Sequence, residues 1–361
     1  GLVAGGIGWM ARSSWAGAVL VGSAALSAAG IILFWDGSGA RIVEKGLLGL
    51  LISLAILAGV LVFNRYQTEM TAARERIAAL DSQVINTPCG PIEYARAGSG
   101  EPVLVVHGNA GGFDAGLTLA AGYIDAGFEV IAPSRFGYLR TPLPEEPSLE
   151  AQADAFACLL DALHIDRAAV FTSSAGVTAS VAFALRYPER VSALVLHSPN
   201  APAEVVGLTP PPQPVFKTLM GSDFLWWASS TYLRPVFQTF VGVPKGFHLT
   251  PQYQAEVESV MREVLPSSAR VDGLLFDTYV GNPQINTIDL AAVTAPTLVI
   301  SAVDDPMALH SSARTLAQRI PGAQLLAIAD GGHMMLGHSA EVRQAVTVFL
   351  RAQETTSVRS H

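Results

Sequence analysis

From Ser82 onward, short apolar runs alternate with segments long enough for helices. The runs are Val103–Val106, Glu129–Ala132, Ala169–Phe171, Ala193–Leu196, Thr297–Ile300 and Gln324–Ile328. A strand that is apolar along its whole length must be covered on both faces, and a parallel sheet with helices on either side does that. The expected fold is therefore α/β, a mostly parallel doubly wound sheet. Leu149–Leu163 is amphipathic, with Leu149, Ala153, Phe156, Leu160 and Leu163 at helical spacing on one side. Ile92–Ala95 is expected to pair with a strand near Val84 as an antiparallel edge. The alternation lapses between Ser198 and about Asp289, where Pro210, Pro211, Pro212 and Pro214 precede Phe224-Leu225-Trp226-Trp227 and a helical stretch near Gln252–Val264. That stretch, about residues 199–289, reads as a helical lid inserted between two strands.

The first 64 residues differ in kind. Residues 15–34 and 46–63 carry no charge, and each run is about long enough to cross a hydrocarbon core of roughly 30 Å as a helix. Trp15 and Trp35 bracket the first run, and Asp36-Gly37-Ser38-Gly39-Ala40-Arg41 is a short, turn-rich link. Two transmembrane helices forming a hairpin are expected over residues 1–64. A helical stalk over residues 65–81 and the α/β domain over residues 82–361 would follow. Arg12, Arg65, Arg74 and Arg76 flank the hairpin, against Arg41 and Lys45 in its link. The positive-inside rule then places both ends, and the catalytic domain, in the cytoplasm of an integral membrane protein, with a bacterial inner or plasma membrane the expected setting. Gly17, Ala18, Gly22, Ala25, Ala28 and Ala29 permit close helix packing without demanding it, so the oligomeric state stays open. Gly1 in place of methionine is what a chain with further sequence upstream would show.

Charge excludes one class of partner. The net charge is −8, and residues 1–80 hold 6 Lys/Arg against 4 Asp/Glu, leaving 16 against 26 beyond them. An acidic body of that kind argues against nucleic acid as a partner. The only cysteines, Cys89 and Cys158, make neither a disulfide framework nor a metal cluster, so a reducing compartment is expected. No segment has metal-ligand or phosphate-loop spacing, and no cofactor is expected.

Four segments carry chemistry, each at the C-terminal end of an expected strand. Thr172-Ser173-Ser174-Ala175-Gly176 has the form small-x-Ser-x-small, which lets a strand turn sharply into a helix with the serine exposed. His107-Gly108-Asn109-Ala110-Gly111-Gly112 is a glycine-rich turn able to aim backbone N–H groups at an oxyanion. Val299-Ile300-Ser301-Ala302-Val303-Asp304-Asp305-Pro306 ends a buried strand in paired aspartates, and Asp330-Gly331-Gly332-His333 closes another with a histidine. A serine hydroxyl needs a base to take its proton, and an imidazole base needs a carboxylate to fix its tautomer. The chain supplies Ser, Asp and His in that order.

On these motifs, with Tyr187-Pro188-Glu189-Arg190-Val191 after the elbow helix and Gly331-Gly332-His333 before Gly337-His338, residues 82–350 resemble the α/β-hydrolase superfamily. Within it they are similar to the lidded esterases, lipases and carbon–carbon bond hydrolases. The resemblance implies Ser174 as nucleophile, Asp305 as acid with Asp304 the fallback, His333 as base, and the backbone N–H groups of Asn109 and Ala175 as the oxyanion hole. It departs at Thr172, where glycine is commonest, and at Ala302, which stands for the glycine of G-x-x-D. The expected activity is hydrolysis of a small to medium apolar carboxylic ester through an acyl-enzyme. Carbon–carbon, amide or lipid hydrolysis on the same residues is the alternative within catalysis, with Arg135, Arg140 and Arg234 as candidates to hold a substrate carboxylate. A non-catalytic binding protein keeping the fold is the alternative outside it. Ser173, His107, His197 and His338 are read as structural, Asp304 as a helix N-cap, and Phe224–Trp227 as lid core or a lipid-facing patch.

Overall fold

The computed structural model describes residue 5 and residues 16–33, 47–202 and 210–358. Trp15, Trp35, the link at residues 36–41, Arg12 and Lys45 lie outside them. The chain divides into two compact units, Gly1–Ala72 and Ala73–His361.

In the first unit, Ala16–Leu33 forms α1, and α2 begins at Leu47 and runs without a break to Ala78. The two helices meet where a Cβ on Gly49 would lie 3.3 Å from Ile31 Cδ1. Leu26, Ile32, Leu51 and Leu61 are exposed, an apolar surface that water does not favour. Two spanning helices were expected. Among the described residues one helix, α2, is long and apolar enough to cross a membrane, and the described part of the first run forms a shorter apolar helix.

The polar end of α2 belongs to the second unit. There the Arg76 guanidinium donates to the carbonyls of Arg262, Glu263 and Leu265 at 3.1–3.2 Å. Those groups lie at the end of a lid helix, where carbonyls lack intrahelical partners and a cation is favoured.

Eight strands form one sheet: β1 (Gln83–Thr87), β2 (Gly90–Gly98), β3 (Glu101–Val106), β4 (Phe128–Pro133), β5 (Ala168–Ser173), β6 (Val191–His197), β7 (Thr297–Ala302) and β8 (Gln324–Ile328). Their order is β1-β2-β4-β3-β5-β6-β7-β8. β2 runs antiparallel to β1, as the edge pattern predicts, and also to β4, and the remaining pairs are parallel. Side chains alternate between faces along each strand. Leu104, Val106 and Val170 join one core layer with α4 (Leu149–Ala162) and α5 (Gly176–Arg186). Val103, Val105 and Phe171 join the other with α3 (Phe113–Tyr123) and α12 (Ser339–Val358). The start of α4 is set by Ser148, whose hydroxyl accepts from the Ala151 N–H at 3.0 Å.

One expectation from composition is overturned. Cys89 and Cys158 are joined as a disulfide that ties the β1–β2 turn to α4, 69 residues away in sequence. Two cysteines so far apart in the chain carry no spacing signal, and only packing of α4 against the hairpin brings them together. The inference of a reducing compartment falls with them.

The inserted segment is helical, with α6 (Gln213–Met220), α7 (Asp223–Tyr232), α8 (Arg234–Phe240), α9 (Pro251–Glu263) and α10 (Val271–Phe276). Its aromatic run is divided. Trp226 and Trp227 are buried, with Trp226 Nε1 donating to the Met261 carbonyl at 3.0 Å, whereas Phe224 and Leu225 are exposed. α11 (His310–Arg319) completes the layer beside β7 and β8.

Candidate active site

Ser174 stands between β5 and α5 with φ +52°, a left-handed conformation that a non-glycine residue adopts only when its surroundings impose it. What imposes it is visible. The Ser174 N–H donates to the His197 carbonyl at 3.0 Å, and its own carbonyl accepts from Val177 and Asn200 at 3.1 and 3.0 Å. A Cβ on Gly176 would lie 2.5 Å from the His107 carbonyl and 2.8 Å from Thr172 Oγ1, so the elbow tolerates threonine at its first small position because the second is glycine. Thr172 Oγ1 is buried and without a hydrogen-bond partner among the described residues.

The loop after β7 carries both aspartates, and they do different things. Asp305, buried, accepts at Oδ1 from the N–H groups of Met307 and Ala308 at 2.8 and 2.9 Å. Its Oδ2 lies 2.8 Å from Nδ1 of His333. Asp304 does not cap the following helix, whose N-cap position is Leu309. It accepts instead from the N–H groups of Gly331 and Gly332 at 3.3 and 2.9 Å, holding the loop that presents His333. The His333 backbone is held at its other side, where its N–H donates to the Gly242 carbonyl of the lid at 3.0 Å and its carbonyl accepts from Ser198 Oγ at 2.8 Å. Ser198 follows His197, the residue that accepts from Ser174, so Ser174 and His333 are anchored to adjacent residues at the end of β6. No direct hydrogen bond joins the Ser174 hydroxyl to the His333 ring; such contacts tighten when substrate binds.

The turn after β3 adjoins Ser174, since a Cβ on Gly108 would lie 3.0 Å from Ser174 Cβ. Within the described residues, neither the Asn109 nor the Ala175 amide N–H donates to another backbone group. Both remain available to a bound anion.

The neighbouring histidines are structural, as the sequence suggests. His107 Nδ1 lies 2.7 Å from the Gly108 carbonyl, which makes it the donor and leaves Nε2 to accept from the Arg135 N–H at 3.0 Å. Burial, then the Arg135 charge, holds the His107 pKa well below the usual histidine range. His197, packed between Phe171 and Tyr123, meets Ser173 Oγ through Nδ1 at 3.2 Å. Burial first, and the His333 charge second, push its pKa down to about 3. His338 lies 2.8 Å from Asp330 and 3.1 Å from Glu341, which raise its pKa.

The three arginines that were candidates to hold a substrate carboxylate are engaged. Arg135 is paired bidentately with Asp277 at 2.6 Å, Arg140 with Glu93 at 2.6 Å, and Arg234 with Glu258 at 2.7 Å. The first of these pairs escaped the sequence reading, because Asp277 lies 142 residues on, inside the lid. Tyr138 donates to the same carboxylate at 2.6 Å, and a second buried pair, Arg270 with Asp114 at 2.7 Å, lies beside it.

This arrangement sits at the C-terminal edge of a parallel sheet, where such folds bind ligands. Comparison with known proteins bears on the fold and family. The alpha/beta hydrolase fold family matches residues 101–338. An uncharacterized hydrolase of Bacillus subtilis is 28% identical over 70% of this chain and 91% of its own length. A poly(3-hydroxyalkanoate) depolymerase of Ectopseudomonas oleovorans is 29% identical over 78% of this chain and 94% of its own. Among solved structures, an alpha/beta hydrolase fold protein from Nakamurella multipartita superposes with a TM-score of 0.60 at 29% identity, over 75% of this chain and 99% of that one.

Proposed function

Since the chain belongs to the alpha/beta hydrolase fold family and is a hydrolase, we propose that it is a membrane-anchored serine hydrolase acting on a small to medium apolar carboxylic ester. The observation that carries this reading is the 2.8 Å contact of His333 Nδ1 with buried Asp305, at the sheet edge where Ser174 is held at the elbow. The carboxylate keeps the proton on Nδ1 and leaves Nε2 free to act as base.

Ser174 Oγ attacks the ester carbonyl and passes its proton to His333. The carbonyl electron pair moves to oxygen and is held by the N–H groups of Asn109 and Ala175, donors worth about 3–4 kcal/mol each in comparable enzymes. Collapse returns the pair, breaks the bond to the alcohol, and the leaving oxygen takes the proton from His333. Water then gives a proton to His333 and attacks the acyl-enzyme; release of the acid returns the proton to Ser174. The carbon–carbon alternative loses its three candidate arginines to internal ion pairs, which favours the ester.

The membrane belongs to the same proposal. The apolar part of α2, with the first run beside it, anchors the chain in the bilayer. The catalytic unit lies on the oxidising side, where a disulfide between Cys89 and Cys158 persists, rather than in the cytoplasm.

The test treats the protein with a serine-directed fluorophosphonate and assays p-nitrophenyl esters of increasing acyl length, beside Ser174→Ala. Labelling and turnover that both vanish in the variant are expected. Folded wild-type protein that neither labels nor turns over would sink the reading.

A further inference from the structure

The turn that carries Asn109 is clamped from behind by a buried arginine, and the clamp reaches into the lid. Arg135 is 2% exposed. Its Nε donates to the His107 carbonyl at 3.0 Å and its Nη2 to the Gly108 carbonyl at 3.1 Å. The Gly108 carbonyl also receives His107 Nδ1–H at 2.7 Å, so it is fixed by two donors.

That carbonyl shares a peptide plane with the Asn109 N–H. Leu265–Pro266 is the one cis bond among the described residues, so the Gly108–Asn109 peptide is trans and its N–H points opposite to its C=O. Two donors drawing the carbonyl toward Arg135 therefore hold the Asn109 N–H turned away from it. A cation on the carbonyl also polarises the amide and strengthens its N–H as a donor.

The guanidinium is in turn fixed by the lid. Asp277 binds it through both oxygens at 2.6 Å, and the Tyr138 hydroxyl donates to Asp277. Next to it, Arg270 donates to the Gly111 carbonyl of the same turn, so both ends of the turn are tied to buried arginines.

We propose that Arg135 is a positioning residue for hydrolysis: braced by Asp277 of the lid, it orients and polarises the Gly108–Asn109 peptide so that the Asn109 N–H can receive the developing oxyanion. This rests on the hydrolase reading and deepens it. Arg135 acts through that peptide and does not touch substrate.

Arg135→Lys tests it. Lysine keeps the charge opposite Asp277 but cannot serve two carbonyls and a bidentate carboxylate at once. Rates on the best p-nitrophenyl ester are scaled to active sites titrated by fluorophosphonate, so that a loss of folded enzyme does not count. The expected result is a kcat lower by roughly 10- to 100-fold with KM little changed, as mispositioning of a reacting group produces. The inhibition constant of a trifluoromethyl ketone of matching chain length, which forms a tetrahedral adduct on Ser174, should rise by a similar factor. The pH profile should keep its shape, because His333 and Asp305 are untouched. An unchanged kcat, or a change confined to KM, overturns the proposal while leaving the hydrolase reading intact. If Arg135→Lys fails to fold, Asp277→Asn replaces it, keeping the shape but loosening the guanidinium. A folded Asp277→Asn enzyme with unaltered kcat and ketone affinity overturns the proposal equally. Wild-type protein inert to ester and fluorophosphonate overturns both readings together.

Discussion

At the scale of single residues, the site is surrounded by buried polar groups whose charge states the fold decides. His197 shows this most simply. It touches Ser173 through Nδ1, while Nε2 is buried without a partner among the described residues. Burial, then repulsion from His333, lowers its pKa from 6.5 to about 3. The unfolded chain takes up that proton as pH falls through about 6.5, and the native state only near 3, so the unfolded state binds more protons between. The stabilisation is complete above pH 6.5 and declines on acidification, by about 1.4 kcal/mol per pH unit for one group. Denaturation midpoints measured from pH 7 to pH 4 should fall, and His197→Gln should flatten that slope by about one proton. An equal slope in the variant would assign the acid sensitivity elsewhere. Thr172 makes a complementary point, since the substitution that strained the motif match is accommodated by Gly176, and its cost is an unpaired hydroxyl in the core.

At the scale of elements, the site is assembled from strand ends and closed by the lid. The His333 loop depends on a partner far away in sequence, Gly242 at the end of α8. Gly242 has φ +83°, and its carbonyl accepts from the His333 N–H at 3.0 Å. A Cβ there would collide with the His333 side chain and come within 3.2 Å of Met307 Sδ. Gly242→Ala should therefore displace the histidine and lower kcat by about 100-fold, the scale on which a displacement of about 1 Å acts. Global stability should change by only ~1–2 kcal/mol, because few other contacts are involved. Calorimetry beside kinetics separates the two effects; a variant that loses stability but keeps its kcat would show that the lid does not hold His333.

At the scale of the whole molecule, the disulfide contributes to stability and bears on the proposed setting. Closing a loop of 69 residues between Cys89 and Cys158 is worth about 4 kcal/mol by constraining the unfolded chain. Reduction, or Cys89→Ser, should lower the melting temperature correspondingly, because most domains have only ~5–15 kcal/mol to lose. Alkylating thiols in the membrane fraction before and after reduction measures the pairing directly. A mass shift that appears only after reduction is expected for a catalytic unit on the oxidising side; full alkylation without reductant would place it in a reducing compartment. Retention of the chain in membranes washed at alkaline pH, lost when residues 1–72 are removed, is the matching expectation for the anchor.

Much of this molecule could be read from local pattern. Continuous apolar runs demand two covered faces, and that requirement identifies the parallel sheet; the antiparallel pairing of Ile92–Ala95 with the strand near Val84 was a separate expectation that the structure bears out. Small residues around Ser174 and glycines at 108, 111 and 112 mark where backbone must turn tightly, because only such residues leave the room. Asp305 and His333 follow strands whose ends a parallel sheet must gather at one edge, so the chain order itself implies their meeting. What stayed hidden depends on packing between distant segments. The pairs Arg135 with Asp277, His333 with Gly242 and Cys89 with Cys158 join residues with no shared periodicity or spacing. A sequence specifies through its local pattern which residues must turn, alternate or be buried. Which buried charge meets which carboxylate, and which thiol meets which, is decided only when helices and lid close over the sheet and exclude the water that would otherwise have solvated them.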